Sequence, residues 1–442
     1  MQHTITAAPE IKHSKMAPGI LIDEPQQLLS PPRQTSKNND DAPRNIFPDG
    51  IRTSGQHPPL YDLLKPYSEF PKKITGRTVW KRDEFINNSE RWVHAFTDEE
   101  VQELSDTADA FIASGIPLEG ISKSNFPLAK LGKVLQELRD DLLNGKGFIL
   151  FKRFPADIWS PQKNAVAYMG LGTYLGYFVS QNGRGHVLGH VKDVGDDPTQ
   201  IHTVRIYRTA ARQFFHADDG DIVGLLCVHR AQEGGESDIV SVHNVWNILQ
   251  QEHPDVAELL TKPVWYFDRK GEVSEGQEEY TRQPVVYIEN GGKGRVYCKW
   301  DPYYVRSLTR LSDAGVIPPL SPEQLRALQI LEETCQREAL HMILDVGDIQ
   351  FLSNAHLLHA RTAYKGKLLS LGFFFFFSHK SMILTCLVDF APPAPRRHLL
   401  RLWLATPEGE GGWALPMPDS NEKKRGGIQV NNTPPRAPLD AE

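Results

Sequence analysis

The chain has 442 residues, 40% hydrophobic and 24% charged, with a formal net charge of −6. This is the composition of a globular protein; it excludes a fibrous or low-complexity chain and leaves no basic surface for nucleic acid or an anionic membrane. Cys227, Cys298, Cys335 and Cys386 stand too far apart for a C-x-x-C zinc or redox pair, and no signal-peptide pattern opens the chain, so a cytoplasmic location is expected.

Residues 1–58 are rich in Pro, Ser, Asn, Gln and Asp without a sustained apolar period. Such a stretch buries too little surface to offset its ordering entropy, which predicts a disordered segment in front of a domain spanning 59–442. Thr97-Asp98-Glu99-Glu100 is a capping box opening a helix to about Ala113, and Leu128 to Leu143 form a second amphipathic helix ended by Asn144-Gly145. The chain then turns to β. Strand-like runs follow at 147–151, 204–207, 222–228, 238–242, 264–267, 285–288, 295–298, 348–352 and 399–404, with one clear helix between them, from Ser321-Pro322-Glu323-Gln324 to about Ala339. Many short strands with a few flanking helices predict a mainly β fold, a double-sheet jelly roll of the cupin type.

Within this pattern His216-Ala217-Asp218 is the most informative group. Residues i and i+2 of a strand project from one side, and two imidazoles with one carboxylate can take one face of a ferrous ion and leave the other open. His359, in Leu358-His359-Ala360-Arg361, qualifies as the second imidazole, with His356 as its nearest substitute. Taken alone, a His-x-Asp pair in a chain with 16 histidines also fits two ordinary strand residues. Gly234-Gly235-Glu236-Ser237 follows 16 residues after Asp218 and reads by itself as a β-turn. In Arg397-His398-Leu399-Leu400-Arg401-Leu402-Trp403-Leu404, arginines interrupt an apolar run, and a buried guanidinium needs an anionic partner, either a structural carboxylate or a bound acid.

In this order the four groups resemble the TauD/TfdA family of Fe(II)- and 2-oxoglutarate-dependent dioxygenases, from about Gly147 to the Arg401 run. The resemblance implies that His216, Asp218 and His359 hold iron, that Ser237 lies near 2-oxoglutarate, and that Arg401 binds its distal carboxylate. It further implies that O2 and 2-oxoglutarate are consumed with a small organic substrate, releasing succinate and CO2. Arg361, Gln181-Asn182, Trp300, Tyr303 and Tyr304 could line a substrate pocket or equally pack in the core; no set specific for a sulfonate is evident. The alternatives are a non-catalytic metal-binding jelly roll and the inactive product of a misread gene.

Residues 366–388, which include five consecutive phenylalanines from Phe373 to Phe377, stand between His359 and Arg401. A membrane span there would sever one site and place His379-Lys380 at its centre, so it is not expected. Removing these residues joins Lys365 to Asp389 and restores the family's short loop; Gly366-Lys367 can also be encoded by a common intron start. The segment is therefore read as an aberrant insertion.

Overall fold

A computed structural model describes residues 64–289, 294–365, 396–415, 427–428, 430–431 and 433–441. All belong to one unit, Asp41–Glu442. The expected disordered segment 1–58 and the insertion 366–388 lie outside the described residues.

Among the described residues, seventeen strands and eight α-helices follow in chain order. Early in the chain come β1 (Val93–Ala95), α1 (Asp98–Ala113), α2 (Leu131–Asn144), β2 (Phe148–Lys152), α3 (Pro161–Gly172), β3 (Tyr177–Phe178) and β4 (Gly189–Lys192). The middle holds β5 (Gln213–His216), β6 (Ile222–His229), β7 (Glu233–Gly234), β8 (Ser237–Ser241), α4 (Val242–Glu252), α5 (Pro254–Leu260), β9 (Trp265–Asp268), β10 (Tyr280–Gln283), β11 (Val286–Ile288) and β12 (Val296–Cys298). Last come α6 (Pro302–Arg306), α7 (Thr309–Asp313), α8 (Pro322–Glu338), β13 (Leu340–Met342), β14 (Ile349–Ser353), β15 (Leu357–Arg361), β16 (Tyr364–Lys365) and β17 (His398–Ala405).

Two sheets make the jelly roll. The larger runs β1-β2-β14-β6-β17-β3, with β4 also paired to β17; the smaller runs β13-β8-β15-β5. Alternation along each strand sorts its side chains into layers. Leu400, Leu402 and Leu404 of β17 face outward into a cluster with α1, α2 and α3, whereas Leu399, Trp403 and Ala405 face inward. In β15, Leu358 and Ala360 point out toward the layer of α4, α5 and α8, and Leu357 points in. His359 and Arg361 share the inner face with Leu357, and Arg401 shares it with Trp403.

Side-chain oxygens cap two of the three expected helices. Thr97 closes α1 and Ser321 closes α8, each by a full capping box. Three local expectations differ. Residues 204–207 form a 3-10 turn over Ile206–Arg208 instead of a strand. The stretch from 238 ends its strand at Ser241, whose hydroxyl caps α4. His359 sits in the strand β15, where the sequence reads as a loop. Helix α3 gave no amphipathic signal because Asn164–Gly172 is buried all round. Among the described residues no helix is long and apolar enough to cross a membrane.

Candidate metal centre and its surroundings

His216 is the last residue of β5 and stands directly opposite His359 in the β5–β15 register. Opposed residues on adjacent strands project from the same face, which brings the two imidazole centroids to 4.1 Å. Asp218 lies two residues beyond β5, in a turn held by Ala217 N–H donating to Trp300 O at 2.7 Å and Asp218 N–H donating to Asn354 Oδ1 at 3.2 Å. Asn354 Nδ2 donates back to the carbonyls of Asp218 and Gly220, so one carboxamide fixes the whole turn.

The Asp218 carboxylate sits between the rings: Oδ1 is 3.8 Å from His216 Nε2 and Oδ2 is 3.7 Å from His359 Nε2. One donor atom from each of the three residues lies within 4.8 Å of the other two. Ligands at about 2.1 Å and right angles around an ion stand about 3 Å apart, so inward shifts of under about 1 Å would close this set on a metal. His216 Nδ1 lies 2.9 Å from Phe214 O, which keeps the proton on Nδ1 and frees Nε2. The Gln213 carboxamide nitrogen, 2.9 Å from that Nε2, would give way to an ion. His359 Nδ1 is buried without a partner.

Burial, followed by the neighbouring His216, pushes His359 down to about 3, so it is a neutral imidazole as a ligand must be. Burial alone would raise the Asp218 carboxyl. Arg401, His359, His216 and the Trp403 N–H outweigh it and hold the group below the usual carboxylate range. Trp403 Nε1–H donates to Asp218 Oδ2 at 2.9 Å, and Arg401 Nη1 stands 3.5 Å from Oδ1 while its Nε donates to Gln181 Oε1 at 2.8 Å. Arg401 and Trp403 reach one carboxylate because they are two apart on β17.

His356 is not brought to this group. Its Nδ1 pairs with Ser353 Oγ and its Nε2 with Gly145 O, and its ring stacks on Trp413. Trp300 packs against Trp265 and Phe267 in the outer core. Tyr303 donates its hydroxyl to Arg212 O.

Arg361 and Arg397 form a second feature. Their guanidinium carbons lie 4.9 and 5.1 Å from the Tyr364 ring centroid, and both arginines are 6% exposed. Arg361 Nη2 donates to the carbonyls of Thr209 and Ala211, and Arg397 Nη2 to Gly235 O at 3.0 Å. Arg361 Nε and Nη1 have no partner; Arg397 Nη1 and the Tyr364 hydroxyl lack one in good hydrogen-bond geometry, although the two side chains act on each other as a loose pair. Burial, with Arg397 next in effect, pushes Arg361 down to about 10. Ser237 stands opposite Arg361 in the β8–β15 register, its hydroxyl 3.2 Å from Gln350 Oε1. Gly234 and Gly235 have φ of 72° and 75°, and a Cβ on Gly235 would lie 2.7 Å from Arg397 Nε. The paired glycines therefore let the chain pass the arginine.

Arg397 was visible in the sequence as a charge in an apolar run, and Arg361 as a candidate pocket residue beside His359. Tyr364, Trp403 and Asn354 carried no signal there, since an aromatic or amide beside a strand is ordinary.

Residues 114–370 match the family described as "Taurine catabolism dioxygenase TauD, TfdA family", a stretch that ends before Arg397 and Arg401. FR-33289 synthase of Streptomyces rubellomurinus is 26% identical over 340 residues, covering 76% of this chain and 92% of the relative. A taurine hydroxylase-like protein of Stachybotrys chartarum is 27% identical over 318 residues, covering 69% and 78%. Among solved structures, asparagine oxygenase with Fe(II), 3-hydroxyasparagine and succinate aligns at a TM-score of 0.49 and 14% identity over 71% of this chain and 94% of its own. The non-heme iron oxygenase OrfP with iron and alpha-ketoglutaric acid aligns at 0.47 and 14% over 71% and 93%.

Proposed function

The chain belongs to the TauD/TfdA family of iron(II)- and 2-oxoglutarate-dependent dioxygenases, and we propose that His216, Asp218 and His359 hold its iron. In place of the distal-carboxylate role that the resemblance implies for Arg401, we place 2-oxoglutarate between Arg401, at the metal, and the Arg361–Arg397 pair beside Ser237, at its far end. The enzyme oxidises a small organic substrate with O2 and releases succinate and CO2.

The observation that carries the site assignment is the pair of buried guanidiniums flanking Tyr364, on the same inner surface as the triad. A metal-binding jelly roll without catalysis has no use for two like charges with three nitrogens unsatisfied. A five-carbon diacid bound at the metal does, because its second carboxylate needs a charged partner several ångströms away. Arg401 is already answered by Asp218 and Gln181, which suits it to orient the ligand carboxylate and the metal end of the cosubstrate.

Iron and 2-oxoglutarate, when bound, supply the oxygen chemistry. The protein's own groups hold and orient. Trp403 and Arg401 fix the Asp218 carboxylate, Phe214 O fixes the His216 tautomer, and Arg361, Arg397 and Ser237 fix the cosubstrate's far end. The buried thiols of Cys227, Cys298 and Cys335 are free, which supports a cytoplasmic location.

The test is anaerobic addition of 2-oxoglutarate to the iron-loaded chain. A visible charge-transfer band is expected, and it should be absent in His216→Ala and His359→Ala. Iron binding unchanged in both variants overturns the assignment.

A further inference from the structure

On the other side of Arg401 lies a cavity of about 230 Å³, lined by Gln181, Arg205, Tyr207, Lys270, Glu272 and Arg401 among others. Its cations are unequally answered. Lys192 pairs with Asp440 at 2.6 Å, Arg208 with Asp196 at 2.6 Å, and Arg401 with Asp218. Arg205 donates to the Tyr304 hydroxyl at 2.7 Å and reaches Glu272 at 3.2 Å. Glu272 also accepts from Gly183 N–H at 2.6 Å, so its charge is shared.

Lys270 has no such answer. Its ammonium donates to the Ile201 carbonyl at 2.7 Å and lies 5.6 Å from the Tyr304 ring centroid, and no carboxylate stands within 4 Å of it among the described residues. Burial pushes it down to about 8; the more distant carboxylates of Asp301 and Asp268 oppose the shift, and Arg205 and Arg310 add to it. Its backbone is in the left-handed region at φ 51°, held there by its own N–H donating to Asp268 Oδ1 at 2.8 Å. A lysine kept in an unfavourable backbone conformation, half-buried beside a second cation, is destabilising unless an occupant of the cavity uses it.

We propose that this cavity receives the substrate, and that the substrate is an acid whose oxyanion head is gripped by Lys270 and Arg205. Its oxidisable carbon is directed past Arg401 toward Asp218. The proposal rests on the reading of His216, Asp218 and His359 as the iron site. Carboxylate, sulfonate and phosphonate heads share the required chemistry, and Lys270 and Arg205 are the residues that select them against neutral molecules.

The full-length chain, loaded anaerobically with Fe(II) and 2-oxoglutarate, is titrated calorimetrically with acetate, methanesulfonate and methylphosphonate, and with the uncharged acetamide and dimethyl sulfone. At least one anion should bind about tenfold or more tightly than its neutral counterpart, as one charge-assisted contact implies, and the ranking of the three identifies the head group. Lys270→Met should weaken that anion about tenfold, and Lys270→Arg should restore most of the loss. Half-saturation of the 2-oxoglutarate charge-transfer band should be unchanged in both. Arg205→Gln serves the same purpose if Lys270→Met does not fold. No preference for anions in the wild type, or an unchanged anion affinity in the folded variants, overturns the proposal. Failure of the metal-site reading is separate: the charge-transfer band would then be missing from the wild type.

Discussion

Replacing Arg397 by Met should make the apo protein more stable and its cosubstrate weaker. Arg361 and Arg397 flank one tyrosine ring, so their charges are no more than about 10 Å apart, with no carboxylate within 4 Å of either among the described residues. At an effective dielectric of about 20 they repel by about 1.7 kcal/mol. Arg397→Met removes that repulsion and an incompletely bonded buried charge, and loses the hydrogen bond to Gly235 O, worth about 0.5–1.5 kcal/mol. The net gain is about 1 kcal/mol or more. With an unfolding entropy near 2.1 cal/mol/K per residue over 442 residues, this raises Tm by about 1 °C. In the wild type, 2-oxoglutarate at 100 times its Kd adds about 2.7 kcal/mol, or about 3 °C. Loss of a charge-assisted pair worth about 1.5–3 kcal/mol weakens the ligand roughly 10- to 150-fold, and its thermal shift at the same concentration falls from about 3 °C to between about 1.5 and 0.3 °C. Arg401→Met should behave oppositely in the apo state, since it leaves Asp218 less well answered, and should lower Tm. Differential scanning fluorimetry with and without 2-oxoglutarate reads all three effects. An Arg397→Met protein with a lower apo Tm and an undiminished 2-oxoglutarate shift refutes the reasoning.

Trp403→Phe keeps the ring and removes the N–H that orients Asp218; iron affinity by competitive chelation should fall roughly tenfold or more, as for other groups that orient a ligand. Acid should destabilise the apo protein: burial pushes His243 down to about 4 and holds His356 well below its usual value, so both bind protons more readily unfolded. Stability is therefore full above about pH 6.5 and declines toward pH 4, with a slope approaching about 1.4 kcal/mol per pH unit for each histidine; urea midpoints across that range check it. Deleting residues 366–388 should raise soluble yield while preserving succinate formation, because each of five adjacent phenylalanines would forgo about 1.5–3 kcal/mol of burial if left in water. A transcript that retains these codons, with an inactive deletion, refutes that expectation.

What could be read without the structure follows from how periodicity works. Helices α1 and α8 were legible because each carries both halves of a capping box and one apolar stripe. Helix α3 was not, since a helix buried on all sides has no stripe to detect. The β15 strand was missed for a related reason: Leu357–Arg361 is buried on both faces, so no polar alternation marks it. The three metal-binding candidates were recoverable because His and Asp are chemically specific and two of them, His216 and Asp218, are spaced i and i+2. Their support was not. Asn354, Trp403 and Tyr364 act through hydrogen bonds or ring faces that only the register of four separate strands brings together.

The arginines divide differently. Sequence alone says that a charge inside an apolar strand needs a partner, and it says so equally of Arg397 and Arg401; Arg361 joins them only once β15 is seen to be a strand. Only the fold separates the one that has a carboxylate from the two that do not. Arg401 stands at the boundary, with Asp218 on its metal side, unsatisfied guanidiniums toward the far end of β15, and Lys270 in the cavity beyond. A protein that keeps uncompensated positive charge on both sides of one carboxylate-bearing metal site is less stable for it when empty. That arrangement is retained at least cost if two acids occupy it together, one beside Tyr364 and one beside Tyr304, so that each fills the electrostatic deficit on its own side of the metal.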